Sequence, residues 1–385
     1  MKVYRGATIL DGTGRTYNEG DLLINGEKIA GIGNNLDIPE EAEIVDVEGK
    51  WITPGLIDVH THLGVHESGL GSEGSDFNET SEPTTPHIRA IDGLNPLEKG
   101  FQDAREAGVT ATQVMPGSAN VIGGEMLSLK TSGSVVDQMA IQTPSAMKGA
   151  LGENPKRVYS GKNVSPMTRM GVSAVMRQTF MQAQDYLHKK ESGELKERNL
   201  RMEQLIPVLK REIPFRTHAH RADDILTSLR IAEEFQLWIT IEHCTEGHLI
   251  IEQLQKAGVH VSVGPTMSTR SKVELSDRGY YTMVEMEKYH IPFSITTDHP
   301  VIGIDYLTTA ASHAVKHGVS ETTALKAITS QAASHIGAED RIGSLEEGKD
   351  ADFVVWSDHP FHPYTNVLKT FIEGTSVYSH PPQWK

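Results

Sequence analysis

The stretch Trp51-Ile-Thr-Pro-Gly-Leu-Ile-Asp-Val-His-Thr-His-Leu63 carries two histidines, His60 and His62, at the end of a short apolar run. A proline and a glycine precede the run and glycine-rich sequence follows it, so Leu56–His62 is predicted to be a buried strand. Side chains two residues apart in a strand point to the same face. The two imidazoles would therefore offer two nitrogen ligands from one rigid element, which suits a divalent metal.

The composition of the 385-residue chain is that of an ordinary globular enzyme. Apolar residues make up 38% and charged residues 23%, and this length fits one large domain plus a small one. Because no run of about 18 or more apolar residues is present, no membrane span and no membrane partner are predicted. The start of the chain lacks the apolar stretch of a signal peptide, and the single cysteine, Cys244, allows no intrachain disulfide. We therefore expect a cytoplasmic protein.

The net charge of the chain disfavours one class of partner. The formal net charge is −15 with histidines counted as neutral, and phosphates would be repelled by it. Nucleic acid is therefore not an expected partner, and a small-molecule substrate is. The chain also holds 18 histidines, several of which fall at the ends of predicted strands.

Both ends of the chain are predicted to be β-structure. Residues 1–50 contain short alternating runs punctuated by glycine, and the last stretch of the chain resembles them. The predicted strands are Lys2–Leu10, Asp21–Ile24, Lys28–Ile32, Glu43–Val47, Ala351–Trp356, Val367–Ile372 and Ser376–Tyr378. They predict a small composite β-sandwich domain of residues 1–53 and 341–385, which flanks a catalytic domain of residues 54–340.

The middle of the chain alternates strand-like runs with amphipathic helical stretches, which is the pattern of repeated βα units and a parallel sheet. The candidate strands are Leu56–His62, Val109–Met115, Met126–Thr131, Met147–Gly152, Phe215–His220, Trp238–His243, His260–Gly264 and Phe293–Asp298. Eight such units predict an α/β fold of the (β/α)8 TIM-barrel type. An open doubly wound sheet is the rival. It is disfavoured because the one Gly-x-Gly-x-x-Gly match, Gly69–Gly74, lies well past the first strand and opens no helix.

Two long connections interrupt this pattern. Residues 155–211 are predicted to hold two helices, Val172–Leu187 and Lys196–Leu209, and shorter helices are predicted at Leu97–Ala107, Asp223–Phe235 and His248–Lys256. Residues 64–95 are rich in Gly, Ser, Thr, Glu and Pro. They are either a disordered linker or, because they follow the first strand, an active-site loop over the mouth of the barrel.

In a TIM barrel, functional side chains gather at the carboxyl ends of the strands. These ends give one set of candidate residues, namely His60, His62, Lys148, His218, His220, His243 and Asp298. His218 and His220 share a strand face, as the first pair does; we predict the former as a metal ligand and the latter as a substrate contact. A carboxylate that ends an apolar run needs a partner, so Asp298 is predicted to meet a metal or a catalytic proton, with helix capping as the alternative.

This set of motifs resembles the amidohydrolase superfamily, and within it the imidazolonepropionase-like branch that also contains prolidase-type dipeptidases. The resemblance spans nearly the whole chain: it begins with Val45–His62, and it ends with Ala324–Thr329 and Gly343–Val355. It implies a metal-dependent hydrolase that cleaves a C–N bond in a linear or cyclic amide. It also implies a homo-oligomer.

The resemblance further implies roles for single residues. His60 and His62 would hold a first metal, His218 and His243 a second, and Asp298 would touch metal and act as the general base. Lys148 looks like the lysine that is carboxylated in binuclear members of the family, where the carbamate bridges the two metals. Glu153 is a competing bridge, and an unmodified Lys148 paired with Glu153 is the purely structural alternative.

The implied chemistry starts from a metal that lowers the pKa of its water from 15.7 to about 7. Asp298 would take the proton of that water and pass it to the leaving nitrogen. Zinc is the natural metal for histidine-rich ligation, and iron, manganese and nickel stay open. Two metals per chain would indicate a binuclear amidase or dipeptidase, and one metal an imidazolonepropionase- or deaminase-like hydrolase. A non-catalytic scaffold is disfavoured because the chain keeps every ligand, and a serine hydrolase because no Gly-x-Ser-x-Gly motif is present.

Several further residues are candidates for contact with substrate. Arg221, together with His220 and Glu153, is predicted to contact it, and Arg157 and Arg270 are additional candidate anchors for a substrate carboxylate. The roles of three other positions stay open. Cys244 stands where the family more often has glycine, and His299 follows the candidate base. Gly123-Gly124-Glu125 is either a close approach of the backbone to substrate or a plain turn.

Overall fold

The computed structural model describes residues 1–34 and 36–381. Its strands form two sheets, one from the middle of the chain and one from both ends. The strands are β1 Lys2–Leu10, β2 Thr16–Asn25, β3 Lys28–Gly33, β4 Glu43–Asp46, β5 Trp51–Pro54, β6 Leu56–Thr61, β7 Val109–Val114, β8 Ile122–Lys130, β9 Ala140–Ala150, β10 Phe215–Ala219, β11 Ile239–His243, β12 His260–Val263, β13 Phe293–Ile295, β14 Phe353–Trp356, β15 Val367–Ile372 and β16 Thr375–Ser379.

Helices occupy most of the connections between these strands. The α-helices are α1 Ala90–Gly93, α2 Lys99–Glu106, α3 Val136–Met139, α4 Glu153–Gly161, α5 Arg169–Glu191, α6 Leu200–Glu203, α7 Ile206–Leu209, α8 Ala222–Phe235, α9 Ile251–Ala257, α10 Tyr281–Lys288, α11 Leu307–Lys316, α12 Glu321–Ala327 and α13 Ser330–His335. Short 3-10 turns lie at Gly71–Gly74, Gly247–Ile250, Val273–Leu275 and Ile304–Tyr306. In the described part of the chain, no helix is both long and apolar enough to cross a membrane.

The sheet from the middle of the chain is a barrel of eight strands, β6 to β13, arranged in chain order. The barrel closes where Thr61, at the end of β6, pairs with His299, just past β13. There the N–H of His62 donates to the carbonyl oxygen of His299 at 2.8 Å. Strands β6, β7 and β10 are buried along their whole length, as expected for strands that are covered on both faces. The TIM-barrel prediction is confirmed.

One barrel strand departs from the predicted parallel sheet. β8 runs antiparallel to both of its neighbours, β7 and β9. A short turn of residues 115–121 joins β7 to β8, whereas a parallel pair needs a crossover of about a dozen residues or more. The expectation of a parallel arrangement around the whole barrel was therefore wrong at this strand, because the connection before it is too short.

Residues 64–95 are an ordered loop against the barrel, so the linker interpretation was wrong. Thr84 pairs with Ile122 and Arg89 with Glu125 in isolated β-bridges, which fasten the loop to β8. The Gly-x-Gly-x-x-Gly match lies within this loop, partly in the 3-10 turn Gly71–Gly74. The loop therefore has the position expected of an active-site loop.

The extent predicted for the second helix of residues 155–211 was wrong. Two short helices, α6 and α7, stand where Lys196–Leu209 was predicted as one helix. Asn199 caps α6 by accepting the N–H groups of Arg201 and Met202. Pro207 cannot donate a backbone hydrogen bond to the preceding turn, so the helix stops and restarts. The first predicted helix is present and longer, as α5.

The prediction of a small β unit from both ends of the chain is confirmed. Its strands lie in the order β16-β15-β14-β5-β1-β2-β3, and β4 pairs with β1. β5 and β14 run antiparallel and join the two ends of the chain. Tyr4, Phe353 and Phe371 pack in its core, where the rings of the two phenylalanines are stacked at 4.3 Å. The boundaries at residues 53/54 and 340/341 stay predictions.

Candidate metal centre and active site

The carboxyl ends of the barrel strands bring the predicted site residues together. His60 and His62 come from the end of β6, and Lys148 from β9. His218 lies on β10 and His243 at the end of β11. These side chains are buried, and Asp298, just past β13, is 16% exposed at its side chain. The strands therefore converge as the sequence predicted.

A first group consists of His60, His243 and Asp298, whose potential ligand atoms all lie within 4.8 Å of one another. Oδ1 of Asp298 is 3.5 Å from Nε2 of His60 and 3.4 Å from Nε2 of His62. The carboxylate thus faces both imidazoles of the first strand.

A second group shares one of these imidazoles. The potential ligand atoms of His218, His220 and His243 lie within 4.8 Å of one another. The ring centroids of His218 and His220 are 4.5 Å and 4.7 Å from that of His243. His220, predicted as a substrate contact, is therefore as close to the cluster as the predicted ligand His218.

Backbone carbonyls fix the orientation of two of these rings. Nδ1 of His62 donates to the carbonyl of Met115 at 2.8 Å, and Nδ1 of His243 donates to the carbonyl of Gly264 at 2.7 Å. Because a carbonyl can only accept, the proton must be on Nδ1 in each ring. Nε2 then carries the free lone pair, which is how metal-binding histidines are commonly held.

Two site residues have a backbone conformation that non-glycine residues rarely adopt. His243 has φ of 72° and Asp298 has φ of 54°. Left-handed conformations at such residues cost on the order of 1 kcal/mol or more and cluster at functional sites. Asp58, which Thr296 and Thr297 contact through their hydroxyls at 2.6 Å and 2.5 Å, anchors the segment that carries Asp298.

Glu242 is a site residue that the sequence analysis missed. Its Oε2 accepts a hydrogen bond from Nδ1 of His60 at 3.0 Å, and Arg216 donates to both of its oxygens at 2.8 Å. Burial would raise the pKa of Glu242, but Arg216, His335 and His60 outweigh it and hold that pKa well below the usual value. A charge inside the apolar run that precedes His243 was the sequence signal that could have marked it.

The protonation states of the cluster suit a cation. Burial lowers the pKa values of His60, His218 and His220 well below their usual 6.5, so these imidazoles are neutral at pH 7. Burial raises the pKa of Asp298, but its contacts with His62, His243 and His60 hold that pKa below the usual value, so Asp298 is a carboxylate. Neutral imidazoles and a carboxylate are the donor set of a divalent transition metal. Among the described residues, none forms a hydrogen bond with the buried Nδ1 of His218.

Lys148 is fully buried beside the first group. Its Nζ lies 3.2 Å from Nε2 of His60 and 3.1 Å from Sδ of Met115. Burial lowers its pKa to about 8. Within the described residues, no ion pair joins Lys148 to a carboxylate, so the pair with Glu153 is not formed. Glu153 instead accepts the backbone N–H of Glu274 at 3.4 Å.

Glu274 is a second residue that the sequence analysis missed. It lies in the 3-10 turn Val273–Leu275 and is fully buried. Its Oε1 is 3.7 Å from Nε2 of His218 and 3.8 Å from Nε2 of His220. The irregular loop around it has no periodicity, so no sequence pattern marked it.

The predicted arginine anchors do not join the cluster. Arg157 and Arg270 are exposed, and Arg221 forms a bidentate pair with Asp223 at 2.8 Å and 3.0 Å. Two other cations lie near Glu274 instead: Lys272 is 3.2 Å and Arg169 3.8 Å from its carboxylate.

The structure shows the surroundings of Cys244, His299 and Gly124, which are positions whose roles the sequence left open. Burial raises the pKa of the Cys244 thiol far above its usual range, so this cysteine is not a thiolate at neutral pH. His299 accepts the N–H of Ile304 on Nδ1 at 3.1 Å. Gly124 has φ of +133°, and a Cβ there would meet Ile88 at 2.5 Å. The glycine therefore admits the loop of residues 64–95, rather than forming a plain turn.

Known proteins resemble this chain along its length. The 28%-identical amidohydrolase tasK of Hapsidospora irregularis aligns with 96% of this chain, which spans only 41% of tasK. An imidazolonepropionase of Cupriavidus necator is 22% identical over 93% of this chain and 90% of its own length. The crystal structure of an amidohydrolase from Thermotoga maritima MSB8 superposes with a TM-score of 0.96, at 41% identity over 99% of this chain and 100% of that one.

A more distant structure shares the fold alone. It is a Xaa-Pro dipeptidase with bound methionine, at 16% identity and a TM-score of 0.60, covering 98% of this chain and 100% of that one. The sequence model of the amidohydrolase family matches residues 51–377. The chain therefore belongs to the amidohydrolase family, a family of hydrolases that act on carbon–nitrogen bonds.

Proposed function

We propose that the protein is a metal-dependent amidohydrolase that cleaves a linear or cyclic amide of a small molecule with an activated water. The observation that carries the proposal is the group of His60, His243 and Asp298, whose ligand atoms lie within 4.8 Å of one another at the mouth of the barrel. A purely structural role does not explain a carboxylate among neutral buried imidazoles, because burying polar groups without partners is costly.

The proposed centre has two metal positions. His60, His62 and Asp298 would hold the first, and His218 and His243 the second. When bound, a divalent cation lowers the pKa of water and polarises the carbonyl of the substrate. Zinc fits this donor set best, and manganese, iron and nickel bind similar ligands.

Asp298 is proposed as the general base. Its carboxylate is charged at neutral pH and lies within 3.5 Å of the imidazoles of His60 and His62. It would accept a proton from the attacking water and then deliver that proton to the leaving nitrogen. Asp298 has a left-handed backbone, with φ of 54°, and its carboxylate faces the imidazoles of the cluster.

Lys148 is proposed to be carboxylated. A neutral amine is needed for its Nζ to attack carbon dioxide, which forms a N–C bond and releases one proton. The lowered pKa of Lys148, about 8, raises the fraction of neutral amine at pH 7. The carbamate would replace a buried cation beside His60 with an anion that can bridge two metals.

The experiment is an activity screen of zinc- and manganese-loaded protein with N-acyl amino acids, dipeptides and cyclic amides. Asp298→Asn should lower kcat by about 10² to 10⁴-fold, the range of general acid–base catalysis. Asp305→Asn is the control, because it removes a carboxylate that lies outside both groups. Full activity of Asp298→Asn, or of metal-free protein, would refute the proposal.

A mononuclear hydrolase of the imidazolonepropionase or deaminase type is the second candidate. The likeness to imidazolonepropionases along about nine tenths of the chain favours it. In that case one metal would bind per chain and Lys148 would stay a free amine. The intact mass of the protein, read together with its metal content, separates the two candidates.

A further inference from the structure

The buried carboxylate of Glu274 faces two imidazoles, those of His218 and His220. The proposed centre uses only the first of them as a metal ligand. Oε1 of Glu274 lies 3.7 Å from Nε2 of His218 and 3.8 Å from Nε2 of His220. These distances are too long for hydrogen bonds. The three atoms therefore face one another across a gap, although all three side chains are buried.

The width of this gap matches a shared cation. Ligand atoms that each lie 2.0–2.2 Å from a tetrahedral zinc are about 3.3 to 3.6 Å from one another. The observed separations exceed these values by only a few tenths of an ångström. His243 extends the set, because its ligand atom lies within 4.8 Å of those of His218 and His220.

We propose that His218, His220, His243 and Glu274 together form a three-imidazole, one-carboxylate site for a divalent cation. The inference rests on the proposed function and deepens it. The family resemblance assigns only His218 and His243 to the second metal, and His220 was predicted from the sequence as a substrate contact. Here His220 and Glu274 become ligands, so the second metal has four protein ligands of its own and does not depend on a bridge from Lys148.

The surroundings hold these two additional ligands toward each other. Oε2 of Glu274 accepts the N–H of Glu153 at 2.9 Å, which leaves Oε1 to face the imidazoles. Nδ1 of His220 lies 2.8 Å from the hydroxyl of Thr245, so Nε2 is the ring atom that points to Glu274.

Lys272 also contacts Oε1 of Glu274, at 3.2 Å, while donating to Oδ1 of Asn154 at 2.9 Å. A carboxylate oxygen has two lone pairs, so Oε1 can accept from Lys272 on one side and bind a cation on the other. The ammonium group also neutralises charge that would otherwise be buried alone.

Cobalt titration of metal-free protein tests the site, because the d–d absorption of Co²⁺ reports its ligands without any substrate. Wild type should bind two ions, and Glu274→Gln should weaken one of them about 100-fold or more in competition with a chelator and change its absorption. Glu252→Gln is the control: it makes the same chemical change at an exposed residue of α9 outside both groups, and it should bind as wild type does. Circular dichroism verifies that each variant is folded.

An unchanged cobalt affinity and spectrum in folded Glu274→Gln would overturn the inference and leave the proposed function standing. A wild type that binds no cobalt would overturn both. Anomalous diffraction from cobalt-loaded wild-type crystals needs no variant. A peak within about 2.5 Å of Oε1 of Glu274 supports the site, and the absence of any peak within about 3 Å overturns it.

Discussion

Glu242 shows how a single buried residue can stabilise the candidate site. It accepts the Nδ1 proton of His60 and forms a bidentate pair with the fully buried Arg216. Glu242→Gln would leave Arg216 as an uncompensated buried charge, which costs about 3–5 kcal/mol. It would also weaken the hold on His60, and such changes lower metal affinity by about 10 to 100-fold. Urea unfolding and chelator competition measure the two effects.

Ser262→Ala is the control for that substitution. Its hydroxyl donates to Oε2 of Glu242 at 2.6 Å, so the variant removes one hydrogen bond and keeps both charges. Its expected cost is about 1 kcal/mol. Equal losses in the two variants would mean that the buried charge pair is not what matters.

His335, also at the residue scale, makes stability depend on pH. Burial lowers its pKa from 6.5 to about 4, so the unfolded chain binds more protons than the folded one between these values. Its contribution is complete above pH 6.5 and is lost as the pH falls toward 4, by up to about 3 kcal/mol. In metal-free protein, His335→Gln should therefore flatten the fall in unfolding free energy between pH 6.5 and 4.

The exposed His188 provides the comparison for that pH series. His188→Gln changes the number of histidines without changing the barrel core, so its pH series should follow that of wild type. If His335→Gln also follows wild type, the buried imidazole is not the source of the acid sensitivity.

At the scale of elements, the loop of residues 64–95 depends on one glycine of β8. A Cβ at Gly124 would lie 2.5 Å from the side chain and 2.6 Å from the carbonyl oxygen of Ile88. Gly124→Ala should therefore displace the loop, destabilise the protein by about 1–3 kcal/mol, and speed proteolysis within residues 64–95. Gly161→Ala is the control, since a Cβ there would meet no atom of the described residues within 4 Å. Equal proteolysis of both variants would contradict this contact.

The strands and loops also show which features could be predicted from the sequence and which could not. Strand ends such as His60 and His243 were predictable, because apolar runs and their last polar residues are local patterns. The antiparallel β8 was not, since its direction depends on the length of one turn. Glu274 and the docked loop depend on tertiary contacts between segments far apart in the chain. Local periodicity does not encode such contacts, so sequence reasoning missed this carboxylate and left the loop's state open.

At the scale of the whole molecule, a buried ion cluster joins the barrel to the sheet formed by the chain ends. Nζ of Lys130, at the end of β8, lies 3.0 Å from Asp350 and 2.5 Å from Asp352, which precede β14. Burial raises the pKa of Asp352, and Lys130 opposes that rise. Without the ammonium group, two buried carboxylates would repel each other. Lys130→Met should therefore cost about 3–5 kcal/mol at pH 7.

Lys28 offers a matched lysine on the same carboxylate, because it lies 2.7 Å from Asp350 but is 51% exposed at its side chain. Lys28→Met should cost only about 0–1 kcal/mol, as solvent-exposed ion pairs do. The difference between the two variants should shrink as the pH falls, because protonation of Asp352, whose pKa burial raises, removes its repulsion of Asp350. Urea unfolding at pH 7 and pH 5 measures it. Equal costs for the two variants at pH 7 would show that the buried cluster does not hold the two sheets together.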